Sequence, residues 1–208
     1  MNTSGVGSSL PIDISQAITS GDIQTLIQMV QGERVRLLDN QLIDQVKAVQ
    51  ARNEQIAKLN DVLAKLNAFA TQINGTDPSS KPIAKEWTAD KIRQYEMPLN
   101  DAILKAGITD LGLQNRTGQR TPLPGERNDG GVGKLVSGTH VINGSSTKGE
   151  IDTAITKIKG MIDSQSNNQQ MDMLRLQSLN NKKNEAIEIL TNTQKKHTDT
   201  VSGIIRNI

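Results

Sequence analysis

The sequence predicts an all-α fold: a long antiparallel two-helix coiled coil from the N- and C-terminal arms, with a small irregular central insertion. Three observations carry this expectation. Over residues 35–73 apolar side chains recur at alternating three- and four-residue spacing: Val35, Leu38, Leu42, Val49, Ile56, Leu59, Leu63, Leu66, Ala70 and Ile73. Only Gln45 and Arg52 break it. Such an a/d seam is the pattern of one helix zipped against another. The C-terminal arm carries a second, weaker seam. Third, Phe69, Trp87 and Tyr95 are the only aromatics among 208 residues. Large rings dominate burial in thick mixed cores, so a chain this poor in them buries aliphatic side chains in a thin layer.

Residues 1–18 read as a disordered leader, with Pro11 near its centre. The N-terminal coiled-coil segment occupies 19–74. Thr19 or Ser20 caps its helix, and Asp22 sits favourably at the positive helix end. That helix runs over 22–73 and spans about 75–80 Å. Gly32 is expected to mark a bend, and Asn74-Gly75-Thr76-Asp77-Pro78 ends it.

The insertion covers 75–146. Thr88 caps a short helix that reaches Met97, Pro98 interrupts, and Asn100 caps a second short helix ending at Gly107. From there to Gly144 glycine is frequent and Pro122 and Pro124 appear, which predicts loops with a small hairpin over 137–142.

The C-terminal arm covers 147–208. Thr147-Lys148-Gly149-Glu150 is a capping box. The helix after it places Ile151, Ala154, Ile155, Ile158, Met161 and Ile162 on one face. Gly160 and residues 164–168 are expected to loosen it before a last helix over 168–207. The inward positions of that last helix read Met173, Leu176, Asn180, Lys183, Ile187, Leu190, Gln194, His197, Val201, Ile204 and Ile208. Polar seam residues lower stability and specify register or partner number. Two readings of these polar pairs stand open. Either the helix meets different neighbours or a wet lumen along its length, or it rotates locally and the polar residues face solvent.

Composition and motifs bound the function. The net charge of +2 comes from 24 basic and 22 acidic residues of mixed sign. The pairs Lys182-Lys183 and Lys195-Lys196 read as a solvated helix face. Nucleic-acid binding asks for a broader basic stripe or stacking aromatics. The absence of cysteine excludes disulfides and thiol chemistry. No apolar stretch reaches membrane-span length, and residues 1–9 lack the basic and apolar regions of a signal peptide. His140 and His197 lack metal-helix spacing. Asp129-Gly130-Gly131-Val132-Gly133-Lys134 resembles a phosphate loop, but Asn128 stands where the first glycine belongs and Leu135 where Ser or Thr would bind magnesium. No catalytic constellation, cofactor or metal site is expected.

Longer strings are more specific. Residues 167–186 (NNQQMDMLRLQSLNNKKNEA) and the ending Gly203-Ile204-Ile205-Arg206-Asn207-Ile208 resemble the C-terminal helix of type III secretion tip-filament subunits. The likeness is nearest to the Bordetella members, with EspA-type filament proteins more distant. Asp22-Ile23-Gln24-Thr25-Leu26, Met97-Pro98-Leu99-Asn100-Asp101-Ala102 and Thr147-Lys148-Gly149-Glu150-Ile151-Asp152 agree with it. The resemblance implies a secreted, extracellular protein, exported without a cleaved signal peptide, that polymerises into a hollow tube extending the needle. The implied partners are copies of itself, the needle subunit at the base, translocator proteins at the far end and a cytoplasmic secretion chaperone.

Leu42, Val49, Ile56, Leu59, Leu63, Leu66, Leu174, Leu176, Leu179, Ile187, Leu190, Val201, Ile204 and Ile205 are the expected coiled-coil and polymerisation residues. Two departures from the family stand out. The segment 107–146 is longer than expected, and Thr193 and His197 fall where a more apolar face belongs. A needle-tip cap of few copies and a secreted effector or scaffold acting by partner binding are the rival readings.

Overall fold

The computed structural model describes residues 23–82, 86–113 and 142–206. The proposed leader, the caps Thr19, Ser20 and Asp22, the hairpin over 137–142 apart from Ile142, His140, the glycine-rich 129–134 segment and Ile208 lie outside them. The fold is all-α, with no strand among the described residues. Its elements are α1 (Ile23–Ala70), α2 (Ala89–Lys91), a π-helical turn (Ile92–Glu96), α3 (Met97–Lys105) and α4 (Lys148–Arg206). Helices α1 and α4 form the antiparallel two-helix coiled coil.

Two boundaries differ from the sequence expectation. First, α4 is one helix from the capping box onward, with no break at 160–168. Ser164, Asn167 and Asn168 of that run face solvent, while Gln165 lies against α1 and accepts from Arg52 at 2.8 Å; just beyond the run, at the exposed edge, Gln169 donates to Asn53. Neither Gly160 nor the polar run carries a proline that would remove a ladder hydrogen bond. Second, Pro98 does not interrupt the chain, which stays helical from Ala89 to Lys105; the proline directly follows the π-helical turn, where Met97 N–H reaches back five residues to Ile92 O. Asn100 is therefore an interior residue of α3 and not its cap. Thr88 precedes α2 in extended conformation but makes no side-chain cap bond.

The chain divides into two compact units. The central unit, Val49–Met171, holds a continuous apolar core. Val62, Leu66 and Phe69 of α1, Leu99 and Ile103 of α3, and Ile151, Ala154 and Ile158 of α4 meet there. Trp87 packs edge-on against Phe69, with centroids 5.1 Å apart at 64°. Its indole N–H donates to the fully buried Glu96 at 3.0 Å. Gly144 lies so close to this indole that a Cβ there would stand 2.3 Å from its Cδ1.

Local chemistry fixes the ends of these helices. Gly107, at φ +67°, closes α3 in a Schellman turn, with its N–H bonded to Leu104 O and that of Ile108 to Ile103 O. Thr147 and Glu150 make the reciprocal capping box at 2.8 and 3.3 Å. The next free amides of α4, Lys148 and Gly149, donate to Ser80 O and Pro78 O. Asn100 pairs with the backbone N–H and C=O of Ile142 and anchors the returning chain to α3.

The terminal unit, Met1–Ala48 with Asp172–Ile208, has only a thin seam. Leu38 and Ala186 are its buried apolar residues among those described. Lys183 pairs with Asp39 at 2.5 Å, and Arg34 with Glu185 at 3.9 Å. Both ion pairs are at least partly exposed, so each stabilises by about 0–1 kcal/mol.

Candidate assembly interface

The expected packing residues separate into two groups. On α1, Leu59 and Leu66 are buried, and Leu42, Val49, Ile56 and Leu63 are half-buried. On α4, Leu176, Leu179 and Leu190 are half-buried in the seam. Leu174, Ile187, Val201, Ile204 and Ile205 are exposed instead, with Leu174 at 60%, Ile204 at 56% and Ile205 at 68%.

This division follows from how α4 is turned. Its covered positions run Asp172, Leu176, Leu179, Lys183, Ala186, Leu190, Thr193 and His197, with Ile189 half-buried beside Leu190. The inward positions expected from sequence include Leu176, Lys183, Leu190 and His197 but alternate them with Met173, Asn180, Ile187 and Gln194, all of which are exposed. The true seam therefore lies one position over at every second step. Of the apparent polar pairs, Asn180 and Gln194 face solvent, while Lys183 and His197 sit at the seam, half-buried. Thr193 and His197, which depart from the expected apolar face, are both seam residues.

The seam of the terminal unit is also polar. Gln45 is buried and donates to Asp172 at 2.9 Å, with Asp172 buried opposite it. The residue that interrupted the α1 repeat is thus a seam member with its own partner. Gln31 also faces inward, and its Oε1 is buried with no hydrogen-bond partner among the described residues. Buried polar pairs of this kind set register while lowering stability relative to apolar packing.

Exposure of apolar side chains is concentrated in the same unit. Of fourteen exposed large apolar residues among those described, eleven belong to the terminal unit. On α1 they include Ile23, Val30 and Leu37, one every seven residues and so on one stripe. Charges on α4 beyond Met171 are segregated as well. Arg175, Lys182, Glu185, Glu188, Lys195 and Lys196 share one side of the helix. The other exposed side, through Met173, Ile187 and Val201, carries no charge at all.

In the terminal unit an open groove of about 550 Å³ is lined by Gln41, Gln45, Arg175 and Lys182. The groove over Asp110 and Lys157, about 300 Å³, is open and lined by an ion pair and the Gln55–Ala106 hydrogen bond. No described cluster of His, Cys, Asp and Glu is arranged to hold a metal. No described helix is long and apolar enough to cross a membrane. No protein family, no curated protein and no solved structure matches the chain.

Proposed function

We propose that this protein is the structural subunit of an extracellular type III secretion filament, a hollow polymer that extends the needle and conducts effectors toward a translocon. Its class is that of helical self-assembling proteins rather than enzymes. The observation that carries the reading is the set of exposed aliphatic side chains on α4, from Leu174 to Val201, Ile204 and Ile205. Apolar patches left in water on a soluble chain mark interaction sites. The family resemblance of residues 167–186, and of 203–206 among the described residues, falls on this same helix. A polymer requires interfaces that do not close on themselves, and a long helical pair offers several faces to several neighbours. The needle subunit, translocator proteins and a cytoplasmic chaperone are its further partners in this reading.

Sedimentation and negative-stain imaging of the purified full-length chain test it. Open fibres of indefinite length are expected, and Ile204→Asp abolishes them while leaving the helix content of the monomer unchanged. A charge buried without a partner in a repeated contact costs about 3–5 kcal/mol per subunit. A wild-type chain that stays monomeric at high concentration overturns the proposal, and a species of small fixed copy number assigns it to needle-tip caps instead.

A further inference from the structure

The exposed, uncharged side of α4 in the terminal unit has a counterpart elsewhere in the chain. From 173 to 205 this side presents Asn180, Asn184, Thr191, Gln194 and Thr198 between Met173, Ile187, Val201 and Ile205. All nine are exposed. In the central unit, α1 presents a second exposed side from 50 to 67, made of Gln50, Asn53, Ala57, Asn60, Ala64 and Asn67. It too has no charge, although charged residues make up 22% of the sequence. The neighbouring positions Glu54, Lys58 and Asp61 keep the charges of α1 to its other exposed side.

Solvated helix faces ordinarily carry Lys, Glu and Asp, and these residues are depleted where surfaces become buried between proteins. The two uncharged sides also differ in a complementary way. The α4 side has large aliphatic knobs, whereas the α1 side has alanines that leave room for them, with an asparagine every seven residues. Both follow the same heptad period, about 10 Å per repeat, so one helix can lie along the other with layers in step. Side-chain amides and hydroxyls on both can pair with one another, so burial leaves no charge to desolvate.

We propose that the uncharged side of α4 in one copy docks on the uncharged side of α1 in the next copy. This deepens the filament reading and rests on it. The occupant of each side is a second copy of this chain, because each chain carries one knob-bearing side and one alanine-bearing side. A contact between two unlike surfaces leaves one of each free at the ends, and so propagates without closing.

Two exposed double variants test this. Asn60→Glu with Ala64→Glu charges the α1 side, and Thr191→Glu with Gln194→Glu charges the α4 side. Each alone is expected to lose fibres and sediment as a monomer, with the helix content and cooperative melting of a folded chain. Mixed in equal amounts, the two are expected to form a species of twice the monomer mass that grows no further, since one intact pair of unlike sides remains between them. Wild-type fibres together with fibres from either double variant overturn this contact and leave the filament reading standing. Self-dimers of a single variant, or a mixture that stays monomeric, also overturn it. A wild-type chain that never assembles overturns both.

Discussion

Seventeen of the nineteen buried apolar side chains among the described residues belong to the central unit, and two to the terminal unit. Both units are built on the same two helices and the same repeat. What differs is what reaches the flanks of the helix pair. In the central unit α3, its following turn and the segment at Ile142 cover Val62 and Phe69, which lie beside the seam rather than in it. In the terminal unit the described residues supply no such third layer, and Gln31, Gln45 and Asp172 occupy seam positions. A heptad repeat therefore specifies which residues of two helices meet. It does not specify how much apolar surface is buried around them.

The sharpest way to break this contrast is a pair of truncations. Phe69→Ala is expected to lower stability by about 3–5 kcal/mol in urea unfolding. Leu176→Ala, at a half-buried position of the terminal seam, is expected to lose less than half as much. Equal losses would mean that the two units are equally well packed. Gly144→Ala drives a methyl group into the indole of Trp87 and is expected to destabilise by about 1–3 kcal/mol with a shift in tryptophan emission.

In the terminal unit some substitutions should run the other way. Gln31→Leu replaces a buried carbonyl oxygen that has no described partner, and a gain of about 1–2 kcal/mol is expected from thermal melts. Replacing Gln45 and Asp172 together by Leu is expected to be neutral or stabilising, while loosening the register that cysteine cross-linking across the seam reports. Gln45→Leu alone is expected to destabilise, since it takes a hydrogen bond from a buried carboxylate.

The smallest effect belongs to the loop that follows α1. The hydroxyl and then the amide of Ser79 donate to Asp77 and hold its carboxyl below the ordinary carboxylate range. A carboxyl lowered on folding contributes stability above its unfolded pKa and loses it as pH falls through the folded one. Asp77→Asn is therefore expected to flatten slightly the acid limb of a stability-against-pH curve, with little change at neutral pH.

Much of this architecture was legible in the amino-acid order. The α1 repeat marked its inward side, and Gln45 and Arg52 stood out as interruptions. Their true role needed the partner helix, because only Asp172 and Gln165 show that polar residues face each other across the seam. On α4 the sequence favoured Met173 and Ile187 over Asp172 and Ala186, since apolar scoring prefers the larger side chains. The structure places the polar and the small residue inside, and the large ones in water. The supposed break near 164–168 was a stretch without apolar residues, which a pattern of apolar spacing cannot distinguish from a loop. The capping box needed no tertiary information because its two partners are three residues apart.

All three aromatic rings of the chain lie within Val49–Met171, one of them an indole wedged between a phenyl edge and a glycine. Ultraviolet emission and near-ultraviolet dichroism thus report on that half of the polypeptide alone, whereas the remaining half is optically dark. Unwinding of the dark half should register in far-ultraviolet signal with no accompanying change in emission, so two wavelengths on one unlabelled sample separate the melting of the two halves.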